Sequence, residues 1–221
     1  CSCCAHRDSH YPNDASADNT LMSRGAPDAN TVARWREDVV FTESVRGCEF
    51  TFHTTWGIFS PRSIDDGSRL LLDHLDINPA DHCLAVGRGY GVLGMTMAKL
   101  APHGRTVMVD KDFVAVDYAK ANCERNGLSN TEIFLSNGFN QIPKEYKFDL
   151  IVSNLPAKVG NEQHYLYLFD AFERLNPGGR FVVVTINGLR DFISRTFKEV
   201  FGNYDKLKQG KTYTVAQAIK Q

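Results

Sequence analysis

The segment SNLPAK, at residues 153–158, is the first candidate for chemistry in this sequence. It directly follows KFDLIV, an apolar run of strand length. Pro156 cannot continue a central strand, because proline has no amide hydrogen to donate to a neighbouring strand. The Asn154 side chain is therefore presented at a strand end. An Asn-x-Pro sequence also occurs in turns that only terminate strands, so the segment alone leaves both an active site and a simple turn open.

A glycine-rich turn, AVGRGYGVLGM, lies between an apolar strand and a helical pattern. Gly89, Gly91 and Gly94 satisfy the G-x-G-x-x-G pattern of a dinucleotide site, whereas Gly87, Gly89 and Gly91 form the turn of an S-adenosylmethionine site. Both ligands require glycine, because the backbone approaches the ligand closely. Asp110, which ends the next strand, is placed to accept hydrogen bonds from both ribose hydroxyls. An adenosine-containing ligand is predicted; glycines that serve only close helix packing are the alternative.

Two further residues separate these cofactors. Asn137, after the third predicted strand, is a candidate acceptor for the adenine amino group, and the Gly138 backbone can approach the ring edge. An Asx turn at Asn137 is the structural alternative. A nicotinamide enzyme has no evident use for Asn-x-Pro after the fourth strand, and no acid–base pair for hydride transfer is found. The pattern therefore favours S-adenosylmethionine.

The surrounding elements must bring these turns to one edge of a sheet. Short apolar runs alternate with helical patterns from residue 83 onward, which predicts a doubly wound α/β fold with a parallel sheet covered on both faces. The final pair of runs, separated by Lys-Gln-Gly-Lys, predicts an antiparallel hairpin. We divide the chain into a polar tail (1–30), a lead-in strand, loop and helix (31–75) and a cofactor-binding core (76–221).

Composition excludes several classes of protein. A chain of 221 residues suits one buried core, and its formal net charge of −1 provides no general attraction to nucleic acid. No apolar run approaches the roughly 20 residues that span a bilayer, and no signal peptide opens the chain, so we expect a cytoplasmic protein. The N-terminal CSCC lacks a second pair of zinc ligands, so no metal is predicted. Oligomeric state leaves no signal in the sequence.

From residue 50 to the C-terminus the sequence resembles a known family, the small-methyltransferase-domain type of class I S-adenosylmethionine-dependent methyltransferases, which includes ribosomal RNA guanine-N2 methyltransferases. The resemblance is carried, in order and spacing, by GIFS, DDGSRLLL, GRGYGVLG, VD, SNGF and DLIVSNLPA. It implies a Rossmann-like sheet of seven strands, S-adenosyl-L-methionine as cofactor and an RNA substrate.

The resemblance also implies roles for SNLPAK as catalytic residues. The Asn154 side-chain carbonyl and the Leu155 backbone carbonyl accept hydrogen bonds from the amine to be methylated, while Pro156 fixes the turn. Two acceptors hold a planar amine in line with the sulfonium methyl group and stabilise the positive charge that develops on nitrogen. No strong general base is required.

Other site residues follow from the same resemblance. The expected cofactor-binding residues are Phe59, Gly87, Gly89, Gly91, Asp110, Lys111, Asn137, Gly138, Phe139 and Asn154. The expected substrate-binding residues are Trp56, Ala157 and Lys158. The sequence departs from the family at Ala85, where an acidic residue is usual near the methionine end. It departs also at Leu155, which replaces the first proline of the family's usual Asn-Pro-Pro, and at Ala157, where an aromatic residue commonly stacks on the target base. Trp56, Phe59 and Tyr90 are candidates to stack instead.

We therefore expect methyl transfer to an exocyclic amine, with guanine N2 of ribosomal RNA as the leading substrate. Four lysines near the C-terminus offer a contact face for RNA: Lys198, Lys206, Lys208 and Lys211. A small molecule or a protein glutamine is the alternative substrate, because Ala157 opens the pocket. A noncatalytic cofactor-binding domain is the third hypothesis, suggested by Ala85 together with Ala157.

Overall fold

The structure is a computed structural model that describes residues 26–87 and 89–221. The chain divides after Glu37. Before this point the described residues form one short helix, α1 (Ala29–Trp35), whose N-cap Asp28 accepts a hydrogen bond from the Thr31 amide at 2.7 Å. The CSCC segment and most of the predicted polar tail lie outside the described residues.

The part of the chain from Asp38 onward contains nine strands and five helices among its described residues. The strands are β1 (Val39–Val45), β2 (Cys48–Thr54), β3 (Cys83–Val86), β4 (Thr106–Asp110), β5 (Thr131–Leu135), β6 (Phe148–Asn154), β7 (Leu175–Ile186), β8 (Asp205–Gln209) and β9 (Tyr213–Ile219). The helices are α2 (Asp66–Asp73), α3 (Val92–Leu100), α4 (Phe113–Arg125), α5 (Asn161–Arg174) and α6 (Arg190–Phe201). Among the described helices, none is long and apolar enough to cross a bilayer.

Seven strands form one sheet in the order β5-β4-β3-β6-β7-β9-β8. The first five are parallel, and β9 is antiparallel to both β7 and β8. The chain moves outward from β3 to β5 and then crosses back to β6, so the strand order reverses between β3 and β6. Open sheets of this kind bind ligands at the carboxyl ends of the strands beside such a reversal. The predicted seven-stranded fold and its C-terminal hairpin are confirmed.

The two faces of the sheet are both buried, which is why its central strands are continuous apolar runs. Alternate residues of β3 belong to different core clusters: Ala85 lies in the cluster that contains α2 and α3, and Val86 in the cluster that contains α5 and α6. A single strand therefore contributes to two cores, one on each face of the sheet.

A second sheet of two strands, β1 and β2, forms a hairpin that the sequence did not predict in full, since only β2 was expected. Its turn consists of Arg46 and Gly47, both with positive φ, as a tight hairpin turn requires. Asn122 of α4 fastens the hairpin, because its amide accepts from the His53 amide at 2.9 Å and donates to the His53 carbonyl at 2.9 Å. This arrangement reproduces a backbone hydrogen-bond pair with a side chain.

Candidate cofactor and amine site

A cavity of about 260 Å³ lies at the carboxyl edge of β3, β4, β5 and β6. The residues that line it are Val86, Gly87, Val109, Asp110, Lys111, Ser136, Gly138, Ser153, Asn154, Pro156, Lys158, Val159, Gln163 and Tyr167. The glycine turn, the end of β4, the end of β5 and the SNLPAK segment thus meet at one place. The topology brings together residues that are up to 81 positions apart in the chain, from Val86 to Tyr167.

The glycine turn provides a backbone surface that is open to a ligand. Gly87, Gly89 and Gly91 have φ values of +79°, +114° and +108°, which side-chain-bearing residues rarely adopt. A methyl group built at Gly87 or Gly89 would meet no atom of the described chain within 4 Å. The backbone conformation therefore requires glycine at these two positions, and helix packing does not. The space above the turn is left open for a ligand.

Asp110 is the last residue of β4, and backbone amides fix its carboxylate. One oxygen, Oδ2, accepts from the Gly89 amide at 3.0 Å, and the other, Oδ1, accepts from the Asp112 amide at 2.9 Å. A carboxylate has about four acceptor positions, so about two remain for further donors. The neighbouring Lys111 is exposed and also lines the cavity.

The residues after β5 that were predicted to bind the cofactor lie in three different environments. Gly138 lines the cavity, together with Ser136, whose hydroxyl donates to the Gly138 carbonyl at 2.7 Å. Asn137 is exposed and lines an adjoining hollow of about 470 Å³, while Phe139 is buried in the core. A contact between Asn137 and adenine stays a prediction, and the structure brings Ser136 to the cavity in its place.

Asn154, the last residue of β6, is buried and has a fixed orientation. Its Nδ2 donates to Asp65 Oδ1 at 3.1 Å and to Ser68 Oγ at 3.2 Å. Because a carboxylate only accepts, the amide nitrogen must face Asp65. The amide oxygen therefore points the other way, and it accepts no hydrogen bond from the described residues.

The backbone after Asn154 presents a second acceptor. The Leu155 amide donates to the Val184 carbonyl at 3.0 Å, and the Pro156 carbonyl lies 3.1 Å from His164 Nε2. Between these two anchors the Leu155 carbonyl receives no donor from the part of the chain that the structure describes. The turn thus contains two acceptors without a donor among the described residues, the Asn154 amide oxygen and the Leu155 carbonyl. Asn154 and Pro156 line the cavity, whereas Leu155, between them, is buried and does not.

The expected substrate-binding residues do not form a closed wall. Ala157 and Lys158 are exposed, and only Lys158 lines the cavity. Trp56 and Phe59 are 69% and 43% exposed and do not line it. Tyr90 is buried, donates to the Ser63 carbonyl at 3.2 Å and packs on aromatic rings of the hairpin. Tyr90 is therefore a packing residue, not a candidate for stacking on a substrate.

Several site residues were missed by the sequence. Gln163 and Tyr167, one turn apart on α5, line the cavity and are joined by a hydrogen bond of 3.1 Å. Asp65 caps α2 by accepting from the Ser68 amide at 3.0 Å while it also holds Asn154. The N-cap itself was predictable from Asp65 before a helical pattern, but its contact with β6 depends on how α2 packs.

Comparison with known proteins agrees with this geometry. The methyltransferase small domain family model matches residues 49–217. The chain is 28% identical over 179 residues to the uncharacterized protein YbxB of Bacillus subtilis, covering 80% of this chain and 89% of that one. It is 32% identical over 175 residues to ribosomal RNA small subunit methyltransferase C of Cronobacter sakazakii, covering 77% of this chain and 50% of that one. The chain thus spans about half the length of that relative.

Among solved structures, the chain is similar to a 16S rRNA N2 methyltransferase of T. thermophilus in complex with AdoMet and guanosine. The TM-score is 0.76 at 29% identity, and the match covers 83% of this chain and 51% of that chain. A methyltransferase from Pyrococcus furiosus matches with a TM-score of 0.58 at 25% identity over 75% of this chain and 90% of that one. Of the two cofactors that the glycine turn left open, these matches select S-adenosylmethionine. The chain belongs to the methyltransferase small domain family, within the S-adenosylmethionine-dependent methyltransferases.

Proposed function

We propose that this domain transfers a methyl group from S-adenosylmethionine to an exocyclic amine, with guanine N2 of ribosomal RNA as the substrate. The observation that carries the proposal is a turn with two acceptors that no described residue uses, the Asn154 amide oxygen and the Leu155 carbonyl. Asn154 and Pro156, on either side of Leu155, line the cavity at the carboxyl edge of the sheet. The relatives whose names refer to ribosomal RNA support the substrate class.

The residues of the cavity fit the cofactor. The free acceptor positions of Asp110 suit the ribose hydroxyls, and the open backbone at Gly87 and Gly89 admits close approach of the ligand. Tyr167 and Gly138 form a surface on which a flat adenine ring can lie. When bound, the cofactor supplies an electrophilic methyl group on a sulfonium centre.

The chain's own contribution to the transfer is orientation and charge stabilisation. An amine with two hydrogens can donate one to the Asn154 amide oxygen and the other to the Leu155 carbonyl, which directs its nitrogen lone pair along one line. Positive charge develops on this nitrogen during transfer, and both neutral acceptors stabilise it. The excess proton leaves the nitrogen afterwards and passes to water, so no buried base is needed.

Asp65 strengthens the Asn154 amide oxygen as an acceptor. Its carboxylate accepts from Asn154 Nδ2 at 3.1 Å, and a charged acceptor on the amide nitrogen increases the partial negative charge on the amide oxygen. Ala85 supplies no acid. Its side chain is buried in the core, and its partners on the neighbouring strands are Met108 and Val152. We infer that Asp65 provides the negative charge at the end of the cavity that Ala85 leaves without an acid.

The open side of the turn suits a substrate that is positioned by more than its base. Ala157 is exposed, and Tyr167 is the one aromatic residue among the described residues that line the cavity. RNA supplies shape and phosphate contacts away from the reacting base, which compensates for a missing stacking contact.

The same opening is the observation that favours a second candidate, a protein glutamine or a small amine-bearing molecule. A cytoplasmic location belongs to the ribosomal RNA proposal and stays a prediction.

Lysines at the edge of the sheet offer such phosphate contacts. Asn154 pairs with Val184, Val184 with Val215 and Val215 with Lys208, so Asn154 and Lys208 share one row across four strands. Three strand spacings of about 4.8 Å separate their backbones by roughly 14 Å. The hairpin turn that carries Lys211 continues past this row, on the same edge as the amine site. We propose that this turn contacts phosphates a few nucleotides from the target base.

The test is transfer of labelled methyl groups from S-adenosylmethionine to unmethylated small ribosomal subunits and, separately, to a cell lysate. We expect label that nuclease releases and protease does not. Asn154→Ala is expected to lower the transfer rate about 100-fold, as removal of one acceptor from a preorganised site does. Ser129→Ala, at an exposed serine that lines neither the cavity nor the adjoining hollow, is the control and is expected to retain the full rate.

Other outcomes select among the alternatives. Label found only in protein or in small molecules would transfer the proposal to the second candidate. Full activity in Asn154→Ala with normal cofactor affinity would refute the assignment of the amine site. Absence of transfer to every fraction, despite cofactor binding, would leave the noncatalytic hypothesis in first place.

A further inference from the structure

His164 is a buried histidine on the inner face of α5 that the proposed mechanism does not yet use. Leu168 and Ala171 follow at helical spacing on the same face, and both are buried and apolar. The His164 ring packs against Phe192 of α6, with ring centroids 5.5 Å apart. An apolar side chain would fill this position without a polar group to satisfy, so the histidine requires a specific explanation.

One ring nitrogen of His164 has a partner and the other has none. Nε2 lies 3.1 Å from the Pro156 carbonyl oxygen, which can only accept, so Nε2 carries the hydrogen. Nδ1 is buried and has no hydrogen-bond partner among the described residues. An unpaired buried acceptor destabilises a fold. The arrangement therefore satisfies the one donor at the expense of the other nitrogen.

The partner of that donor belongs to the amine-binding turn. The turn is held on one side by the Leu155 amide, which donates to the Val184 carbonyl at 3.0 Å. Within the turn, the ring of Pro156 restricts φ to a narrow range. On the far side, the Pro156 carbonyl is held by His164. The Leu155 carbonyl lies between these constraints, and no described residue holds it directly.

We propose that His164 is a positioning residue: its Nε2–H fixes the Pro156 carbonyl, and this contact keeps the Leu155 carbonyl directed at the substrate amine. The inference rests on the proposed function of the turn. Without the donor, the peptide after Pro156 can rotate, and the direction of the Leu155 carbonyl is spread over a wider range. Misdirection of an orienting group lowers the rate of the bound complex, whereas Gly87, Asp110 and Gly138, on other turns around the cavity, stay in place.

The experiment compares three variants in the labelled-methyl assay on small ribosomal subunits. His164→Leu removes the donor and suits the apolar face of α5. His164→Gln returns an N–H donor of similar reach. Leu168→Val is the control, because it perturbs the same face one helical turn away without touching the amine-binding turn. For His164→Leu we expect kcat to fall about tenfold or more while KM changes little. His164→Gln is expected to restore kcat to within about threefold of the unsubstituted protein, and Leu168→Val to leave it unchanged.

Two further measurements keep the outcome clear. The cofactor affinity of His164→Leu, measured by calorimetry, is expected to stay within about twofold of the unsubstituted value, since the proposed contacts at Gly87, Asp110 and Gly138 are unchanged. Amide hydrogen exchange at residues 157–159 is expected to accelerate in His164→Leu and to recover in His164→Gln.

If His164→Leu keeps full kcat and unchanged exchange while Asn154→Ala loses activity, the positioning role is refuted and the proposed function stands. A His164→Gln protein that remains as slow as His164→Leu would also refute it, because the donor would not be the essential feature. If the unsubstituted protein methylates no RNA, the proposed function fails, and hydrogen exchange alone decides whether His164 fixes the turn.

Discussion

At the scale of single residues, the site depends on how one amide group is oriented. Asn154 is buried at a strand end, and Asp65 determines which of its two polar atoms faces the cavity. A free asparagine could present either atom, and only the oxygen can accept from an amine. The contact with Asp65 thus converts an ambiguous side chain into an acceptor of defined direction.

Replacement of Asp65 by asparagine tests this dependence. Asparagine caps helices as well as aspartate does, so α2 should remain stable, whereas the fixed direction of Asn154 is lost because a second amide can donate as well as accept. We expect Asp65→Asn to reduce kcat about tenfold, with a change of less than about 0.5 kcal/mol in the free energy of unfolding. Steady-state kinetics and urea unfolding measure the two quantities. A normal kcat in a stable protein would contradict the orienting role.

His164 makes the stability of the protein depend on pH. Burial lowers the pKa of this ring below its usual value near 6.5, although its hydrogen bond to Pro156 acts in the opposite direction. As the pH falls below about 6.5, the unfolded chain takes up this proton before the folded chain does. The stability that the neutral ring contributes is therefore complete above this pH and is lost as the pH falls towards the lowered pKa of the folded state.

We expect the free energy of unfolding to decline more steeply between pH 7.5 and pH 5.5 in the unsubstituted protein than in His164→Gln. Urea unfolding of both proteins at the two pH values gives the comparison, in which the contributions of all other histidines cancel. Equal declines in the two proteins would show that the folded ring titrates normally.

At the scale of elements, the β1–β2 hairpin joins the main fold through side chains that imitate backbone hydrogen bonds. Asn122 is fully buried, pairs with both polar groups of the His53 backbone and also donates to the Tyr90 carbonyl at 3.0 Å. Asn126 makes the same kind of pair with the Thr51 backbone. The hairpin is thus fastened to α4 at two places in β2, Thr51 and His53.

Asn122→Ala should therefore be strongly destabilising. It leaves three backbone groups without partners, the buried Tyr90 carbonyl and the two partly buried groups of His53. A buried group without a partner costs about 1–3 kcal/mol. We expect a loss of about 3 kcal/mol or more in urea unfolding, compared with less than about 0.5 kcal/mol for the exposed control Asn140→Ala. A loss below about 1 kcal/mol would mean that water replaces the asparagine.

The elements differ in how far their sequence determines them. The strands β3, β4, β6 and β7 are predictable because burial on both faces makes them continuous apolar runs. β1 was missed, since its residues alternate between partly buried and exposed and only Val45 is buried. The glycine turn, Asp110 and SNLPAK were predicted because strand order alone brings them to one edge. Gln163 and Tyr167 were not, because their approach to the cavity depends on how α5 packs.

At the scale of the whole molecule, a net charge of −1 conceals an uneven placement of lysines. Lys208 and Lys211 lie towards the carboxyl edge of the sheet, where the hairpin between β8 and β9 turns back. Lys198 occupies the last turn of α6, which begins at that edge and runs away from it. Of the four lysines considered from the sequence, two therefore lie towards the edge of the sheet that carries Asn154, where we propose that RNA binds.

Removal of these two charges should weaken RNA binding and leave the chemistry intact. We expect the double variant Lys208→Ala with Lys211→Ala to raise KM for ribosomal subunits about tenfold, and to reduce the slope of log K against log salt by roughly 1–2, as the loss of one or two phosphate contacts predicts. Titrations at several salt concentrations measure this slope.

The control removes the same charge elsewhere. Lys99, in the last turn of α3, and Lys144, in the segment before β6, are both exposed and lie towards the opposite edge of the sheet. Their double alanine variant should keep the original KM and salt slope. Equal effects of the two double variants would show that only net charge matters and would remove the hairpin from the RNA surface.

The Leu155 carbonyl has a consequence for how such domains are recognised in genomes. Half of the amine-binding pair belongs to the main chain, and the Leu155 side chain is directed into the core instead. Natural variation at this position can therefore alter the motif letters without altering the acceptor. A search that demands Asn-Pro-Pro would pass over this chain, and over any homologue that drifted in the same way, although the two acceptor atoms that we propose for the reaction are retained.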